Sequence, residues 1–211
     1  MAGAEEPKPF KWVGGHLSLD FNNTVDWKGL EPGAGEYLTD YGRLVAWGHE
    51  AGVLSERDRD ALLRTWGEQP ALGRRILEKA WSARTTMHRV FLGTITGTPD
   101  LGAELPAINA LLYEAPGQLA CEASGRSCEW VWSSCEDDAA CMIWPVVRAA
   151  SQLLTSPQLA DVKTCANGRC GWLFLDTSRK HNRKWCEMGV CGNRAKARRY
   201  YDRRKRQAEG G

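Results

Sequence analysis

The sequence predicts an α+β chain: a mainly helical domain with one β-hairpin over residues 1–158, then a small lobe with four paired cysteines over 159–211. Three observations carry this prediction. Apolar residues recur at helical spacing through most of the first part. One stretch near residues 118–134 abandons that period and alternates like paired strands. Beyond residue 160 the chain is strongly charged and holds too few apolar residues to build a core without a staple.

The elements follow in chain order. In the segment WVGGHLSLDFNNTVDW, Leu17, Leu19 and Phe21 alternate, which fits a short strand or an extended entry into a helix. KGLEPGAGE is a loop by its glycine and proline content. Thr39 or Asp40 can cap a helix ending at His49, with Leu44, Val45 and Trp47 among its apolar residues and Gly52 just past its end. Ser55-x-x-Asp58 resembles a capping box with Asp in place of Glu and starts a second helix. Leu72, Ile76, Ala80, Ala83, Met87, Val90, Phe91 and Ile95 predict one long core-facing helix over 70–97, ended by Thr98-Pro99, and a shorter helix follows over 105–113. After Pro116-Gly117, QLACEASGRSCEWVWSS reads as two strands joined around Gly125-Arg126, with Trp130 and Trp132 on one face. The pattern returns to helix over 138–154, burying Met142, Ile143, Val146, Val147 and Leu153.

Composition excludes several classes. With 43% hydrophobic and 26% charged residues the chain is neither disordered nor fibrous. It has no apolar run of the roughly 18 residues a membrane span needs, and MAGAEEPKPF lacks the basic and apolar regions of a secretory signal. A cytoplasmic protein is expected, in which the eight cysteines are thiols or metal ligands rather than disulfides. The net charge of +2 hides a polarity: residues 1–160 carry −7 and residues 161–211 carry +9. Such asymmetry points toward nucleic acid or another acidic surface. No nucleophile and base pair suggests an enzyme.

Four cysteines carry the clearest chemistry. Cys165-x4-Cys170 and Cys186-x4-Cys191 are separated by 15 residues. Each short loop can present two thiolates to one tetrahedral zinc ion at about 2.3 Å. Four sulfurs fill the shell, so the ion is structural and not catalytic. The spacing suggests a treble clef: the first pair on a turn, GWLFLDTSRKHNRKW as a hairpin, and the second pair opening a terminal helix. The metal should supply the decisive folding energy of this lobe, and chelation should melt the lobe alone while the helical domain keeps its own core. Cys121, Cys128, Cys135 and Cys141, spaced x6, x6 and x5, do not pair like metal knuckles and read as small buried residues, with a redox sensor as the rarer alternative.

The string CGWLFLDTSRKHNRKWCEMGVCGNRAKARR resembles the CGNR zinc finger, named for residues that here are Cys191, Gly192, Asn193 and Arg194. GGHLSLDFNNTVDW and the helices after it resemble the ABATE domain, which accompanies this finger in bacterial proteins described as stress-induced transcription regulators. The resemblance implies a treble-clef finger and DNA binding. Lys180-His181 stand where an asparagine is expected after Ser-Arg.

Projected at 100° per residue, Ala197, Tyr200 and Tyr201 share one face of the terminal helix, with Arg204 between them, and should pack on the hairpin. Arg194, Lys196, Arg198, Arg199, Arg203, Lys205 and Arg206 fill the remaining arc and are candidates for duplex DNA contact. Arg179, Lys180, Arg183 and Lys184 form a second cationic cluster on the hairpin tip. Asn193 reads as structural, and His181 as a solvated loop residue rather than a ligand. In the N-terminal domain, His16, Asp20, Asn22, Asn23 and Thr24 form a polar cluster that either lines an effector pocket or satisfies backbone groups at a turn. A small-molecule effector and a homodimer are the further expected partners. A protein adaptor and an RNA-binding protein are the alternatives to a DNA-binding regulator.

Overall fold

The computed structural model describes residues 7–28, 35–97, 102, 104–114, 119–124, 127–132, 135 and 138–209. Its first element, α1 (Leu17–Asn22), is a short helix rather than a strand. Ser18, Leu19, Phe21 and Asn22 are all buried, so a helix enclosed on several sides shows no single apolar face in its sequence. The chain then turns through a bridge between Val25 and Glu36. Most of the expected KGLEPGAGE loop lies outside the described residues.

Two helices follow as the capping signals predict, and a third as its apolar spacing predicts. Asp40 caps α2 (Tyr41–Glu50), its carboxylate accepting from Arg43 N at 2.8 Å. Ser55 caps α3 (Glu56–Glu68), its hydroxyl accepting from Asp58 N at 3.1 Å and donating to the Asp58 carboxylate at 2.6 Å. Asp58 therefore returns to the cap hydroxyl, whereas a capping-box Glu reaches the cap's backbone N–H. Helix α4 (Pro70–Thr96) begins with proline and ends where Gly97 adopts φ 69°, a left-handed conformation that favours glycine. It is the spine of the domain and buries Ile76, Leu77, Ala80, Ala83, Met87, Val90 and Phe91, while Leu72 and Ile95 are only partly covered.

Helix α5 (Glu104–Glu114) packs beside α4. Strands β1 (Leu119–Ser124) and β2 (Ser127–Trp132) pair antiparallel from Leu119↔Trp132 to Ser124↔Ser127. Thr98-Pro99, Pro116-Gly117 and the Gly125-Arg126 tip lie outside the described residues. Helix α6 (Ile143–Leu154) starts five residues later than its apolar spacing predicts. Asp138 explains the delay: its carboxylate accepts from Ala140 N at 2.8 Å and Trp144 Nε1 at 2.5 Å, which holds the preceding residues in turns. Cys135 and Cys141 are joined by a disulfide across this turn. That corrects the expectation of thiols for these two cysteines.

The last elements are β3 (Val162–Thr164) and β4 (Leu173–Leu175), antiparallel with Val162↔Leu175, and then α7 (Asn193–Glu209). Val162, Leu173 and Leu175 belong to the same buried core as α1, α4 and α6. Asn23 clamps one edge of β4, its amide donating to Leu173 O at 2.8 Å and its carbonyl accepting from Leu173 N at 3.0 Å. Trp172 Nε1 donates to Val25 O at 2.8 Å, and Leu175 N donates to Gly14 O at 2.8 Å. The lobe expected to melt separately is thus built onto the helical domain. No helix among the described residues is long and apolar enough to cross a membrane.

A buried ion pair braces the same junction. Arg84 on α4 is 4% exposed, donates to Thr24 Oγ1 at 2.8 Å and to Glu36 Oε1 at 2.8 Å, and has a second, closer contact with Glu36 Oε2. Beside it, Trp27 stacks on His88 with ring centroids 3.7 Å apart. Burial, then the Arg84 and Lys28 charges, push the His88 imidazole down to about 4, so the ring is neutral at physiological pH.

Candidate metal centre and nucleic-acid interface

The four cysteines arrive on two different kinds of turn. Cys165 and Cys170 sit in the connection between β3 and β4, where Cys165 N donates to Trp172 O at 2.8 Å and Cys170 N to Asn167 O at 2.9 Å. Gly171 follows at φ 77°, and a Cβ there would stand 2.8 Å from Trp27 Cβ, so glycine lets the knuckle close onto the N-terminal domain. Cys186 precedes a π-helical turn, Met188–Gly192, and Cys191 lies within it; the turn runs directly into α7.

GWLFLDTSRKHNRKW is therefore not a hairpin: its first strand, β4, pairs back to β3, and residues 176–185 form an irregular loop. Asp176 organises that loop. Its buried carboxylate accepts from Lys163 Nζ at 2.6 Å, Ser178 Oγ at 2.6 Å, Ser178 N at 3.0 Å and Arg183 N at 2.8 Å. Burial pushes its pKa up, but these four donors outweigh it and hold the group well below the usual carboxylate range.

The four sulfurs converge. All four cysteines are buried, and their Sγ atoms lie within 4.8 Å of one another, with Cys170–Cys186 at 3.7 Å and Cys186–Cys191 at 3.6 Å. A tetrahedral ion with bonds of about 2.3 Å requires edges of about 3.8 Å, so the spacing fits. Without a cation the thiols compete for ionisation. Hydrogen bonds from the Cys170 and Cys186 thiols push Cys165 down, and the Cys165 contact pushes Cys170 and Cys186 up. A divalent ion removes that conflict by stabilising every thiolate at once. Asn167 Nδ2 lies 3.5 Å from Cys191 Sγ and supplies an outer hydrogen bond. The donor set is that of one structural zinc, with no open position for water.

The basic residues divide more sharply than their sequence positions suggest. On α7, Arg194, Lys196, Arg198, Arg199, Arg203, Lys205 and Arg206 are exposed, as are Arg179, Lys180 and Lys184 on the loop. Arg183 is turned inward and leaves the candidate surface. Its guanidinium lies 4.3 Å over Phe174 and donates to Val13 O at 2.9 Å and Trp185 O at 3.0 Å, with a closer contact to Cys186 O. His181 is exposed on the loop, outside the sulfur cluster, with its Nδ1 2.7 Å from Asp161 Oδ1. Tyr200 and Tyr201, expected to pack, are 50% and 68% exposed, and Arg204 joins them outside with its guanidinium 5.8 Å from the Tyr200 ring. Helix α7 contacts the π-turn Met188–Gly192, while Val162, Leu173 and Leu175 of β3–β4 pack into the main core and Phe174 packs with the cysteines. Asn193 Nδ2 donates to Gly189 O at 2.9 Å, tying the helix start to the π-turn.

The N-terminal polar cluster is built into the fold. Asp20 accepts from Gly14 N at 2.7 Å, Thr24 Oγ1 donates to Phe21 O at 2.7 Å, Asn22 meets His88 Nδ1 at 3.2 Å, and His16 meets Ser18 at 2.9 Å. With Asn23 on β4, these contacts occupy most of the cluster's polar groups inside the fold, and Asn22 Oδ1 is buried without a hydrogen-bond partner among the described residues. Burial raises the Asp20 carboxyl to about 6 despite the Gly14 and Val13 N–H groups and the Arg183 charge. Sequence reasoning missed three cations near the metal centre, Lys8, Lys11 and Arg169, which share a cleft with Arg194. No periodicity or motif links positions so far apart.

Fold and site together define a helical domain carrying a docked four-thiolate zinc lobe with an exposed basic helix. Family comparison agrees on both parts: residues 162–204 match the CGNR zinc finger, and residues 15–157 match ABATE, whose description is "Putative stress-induced transcription regulator". The chain belongs to the ABATE family. Comparison with curated proteins finds no match.

Proposed function

We propose that this chain is a DNA-binding transcription regulator in which zinc fixes the start of α7 and α7 engages duplex phosphates. The observation that carries the reading is the state of α7. From Asn193 to Gln207 every residue but Ala195 is exposed, and the helix holds eight cations against Asp202 and Glu209. A helix without a packed face is marginal in water, so its basic surface fits a partner that supplies the missing contacts. The ABATE description supports the regulator role. A cytoplasmic location and a sensory N-terminal domain belong to the same proposal, and clefts of about 450 and 470 Å³ beside Asp40 offer an effector room.

A second reading, single-stranded RNA, draws on the exposed Tyr200 and Tyr201, since aromatic rings among cations can stack unpaired bases. Salt dependence tests the first. If about five phosphates are engaged, log affinity for duplex DNA falls against log salt with a slope of about −4 to −5. Arg199→Gln with Arg203→Gln should flatten it by up to about two units while zinc content stays constant. An unchanged slope would remove α7 from the interface.

A further inference from the structure

We propose that the cleft between the N-terminal arm and the cysteine knuckles is a second seat for the backbone phosphates of duplex DNA, with Lys8 and Arg169 as its contacts. The inference rests on the DNA-binding reading and extends the interface beyond the finger. The cleft holds about 420 Å³ and carries the cations Lys8, Lys11, Arg169 and Arg194 against the carboxylates Asp26 and Glu187. These cations come from three separate stretches of chain: the arm, the first knuckle and the start of α7.

The arm is fixed rather than trailing. Phe10 is buried, with the Arg43 guanidinium 4.0 Å over its ring, and Trp12 stacks on Trp47 at 6.0 Å. Arg43 Nη2 also donates to Lys8 O at 2.6 Å, which places the Lys8 backbone against α2 and beside the finger. Lys8 and Arg169 are exposed and, among the described residues, form no direct ion pair; Lys8 Nζ lies 5.9 Å over the Tyr37 ring and acts on Asp26 only through space, whereas Lys11 already reaches Glu187 at 3.9 Å. Nor do these cations serve the sulfurs, which take hydrogen bonds from Asn167 and from backbone N–H groups. A zinc held by four thiolates would carry a net charge of −2, which with Asp26 and Glu187 balances the four cations, so the charge open to an external anion is that of the exposed Lys8 and Arg169 at the rim. Arg194, in the first turn of α7, joins this rim to the exposed basic helix, so one duplex can run along both. A phosphodiester is the matching chemistry: compact, repeating, and bound by Lys or Arg through charge-assisted hydrogen bonds.

The test uses the full zinc-loaded chain with Lys8→Gln and Arg169→Gln, titrated with duplex DNA across a salt series. Two lost phosphate contacts should flatten the slope by up to about 1.8 units and weaken binding roughly 10- to 30-fold near 0.15 M salt. Because Arg169 adjoins a metal ligand, zinc content is measured alongside. If it falls, Lys8→Gln alone should still flatten the slope by about 0.9 units. Wild-type slope and affinity in these variants would overturn the inference, and continued sensitivity to Arg199→Gln with Arg203→Gln would show that the DNA-binding reading survives it. A wild-type chain that binds no duplex at any salt would overturn both.

Discussion

Stripping the metal is expected to unfold more than the finger. Zinc contributes on the order of 10 to 16 kcal/mol in small zinc-finger peptides, and here the strands it closes are part of the main core. Val162, Leu173 and Leu175 are each no more than 5% exposed and share that core with Leu19, Phe21 and α6. Burial of such side chains contributes about 1.5 to 3 kcal/mol each. Loss of β4 also leaves the buried Asn23 amide with neither of its partners, a further cost of about 1 to 3 kcal/mol. Chelation, or Cys186→Ser, should therefore accelerate hydrogen exchange in α1 and in the middle of α4, not only in residues 162–192. Unchanged protection of Leu19 and Phe21 in the metal-free chain would restore the picture of two separately melting parts.

The second large effect is expected at Glu36. Replacing it with alanine leaves the Arg84 guanidinium buried with Thr24 as its remaining partner. Removing one member of a buried pair costs about 3 to 5 kcal/mol. In a chain of this size that lowers Tm by about 6 to 20 °C. Glu36→Leu with Arg84→Met should be milder, because no charge is left unpaired. Equal destabilisation by the single and double variants would show that packing, rather than the ion pair, is what Glu36 supplies.

Much of this was legible in the sequence, for identifiable reasons. Caps at Asp40 and Ser55, the apolar face of α4 and the two cysteine pairs are local signals, and each appears where its spacing places it. The misreadings concern residues whose environment is set from a distance. Leu17 to Phe21 alternate because a short helix is enclosed by α4, α6 and β4. The loop 176–185 follows a buried carboxylate, and Arg183 looks like its cationic neighbours until Val13 and Phe174 are brought beneath it. Cys135 and Cys141 are joined across a turn that their spacing alone did not announce. The Asn22-Asn23-Thr24 string reads both ways in sequence because an internal clasp and a ligand site use the same chemistry, and Asn23 and Thr24 bond within the fold.

Recognition of duplex DNA by the zinc-organised basic surface is tested most directly by comparing partners. Fluorescence anisotropy of the zinc-loaded chain with duplex DNA, an RNA hairpin and heparin, all at one salt concentration, separates shape from charge. Tightest binding to the duplex is expected. Equal binding to all three would reduce the surface to a general polyanion site, and preference for the RNA hairpin would favour the reading based on Tyr200 and Tyr201.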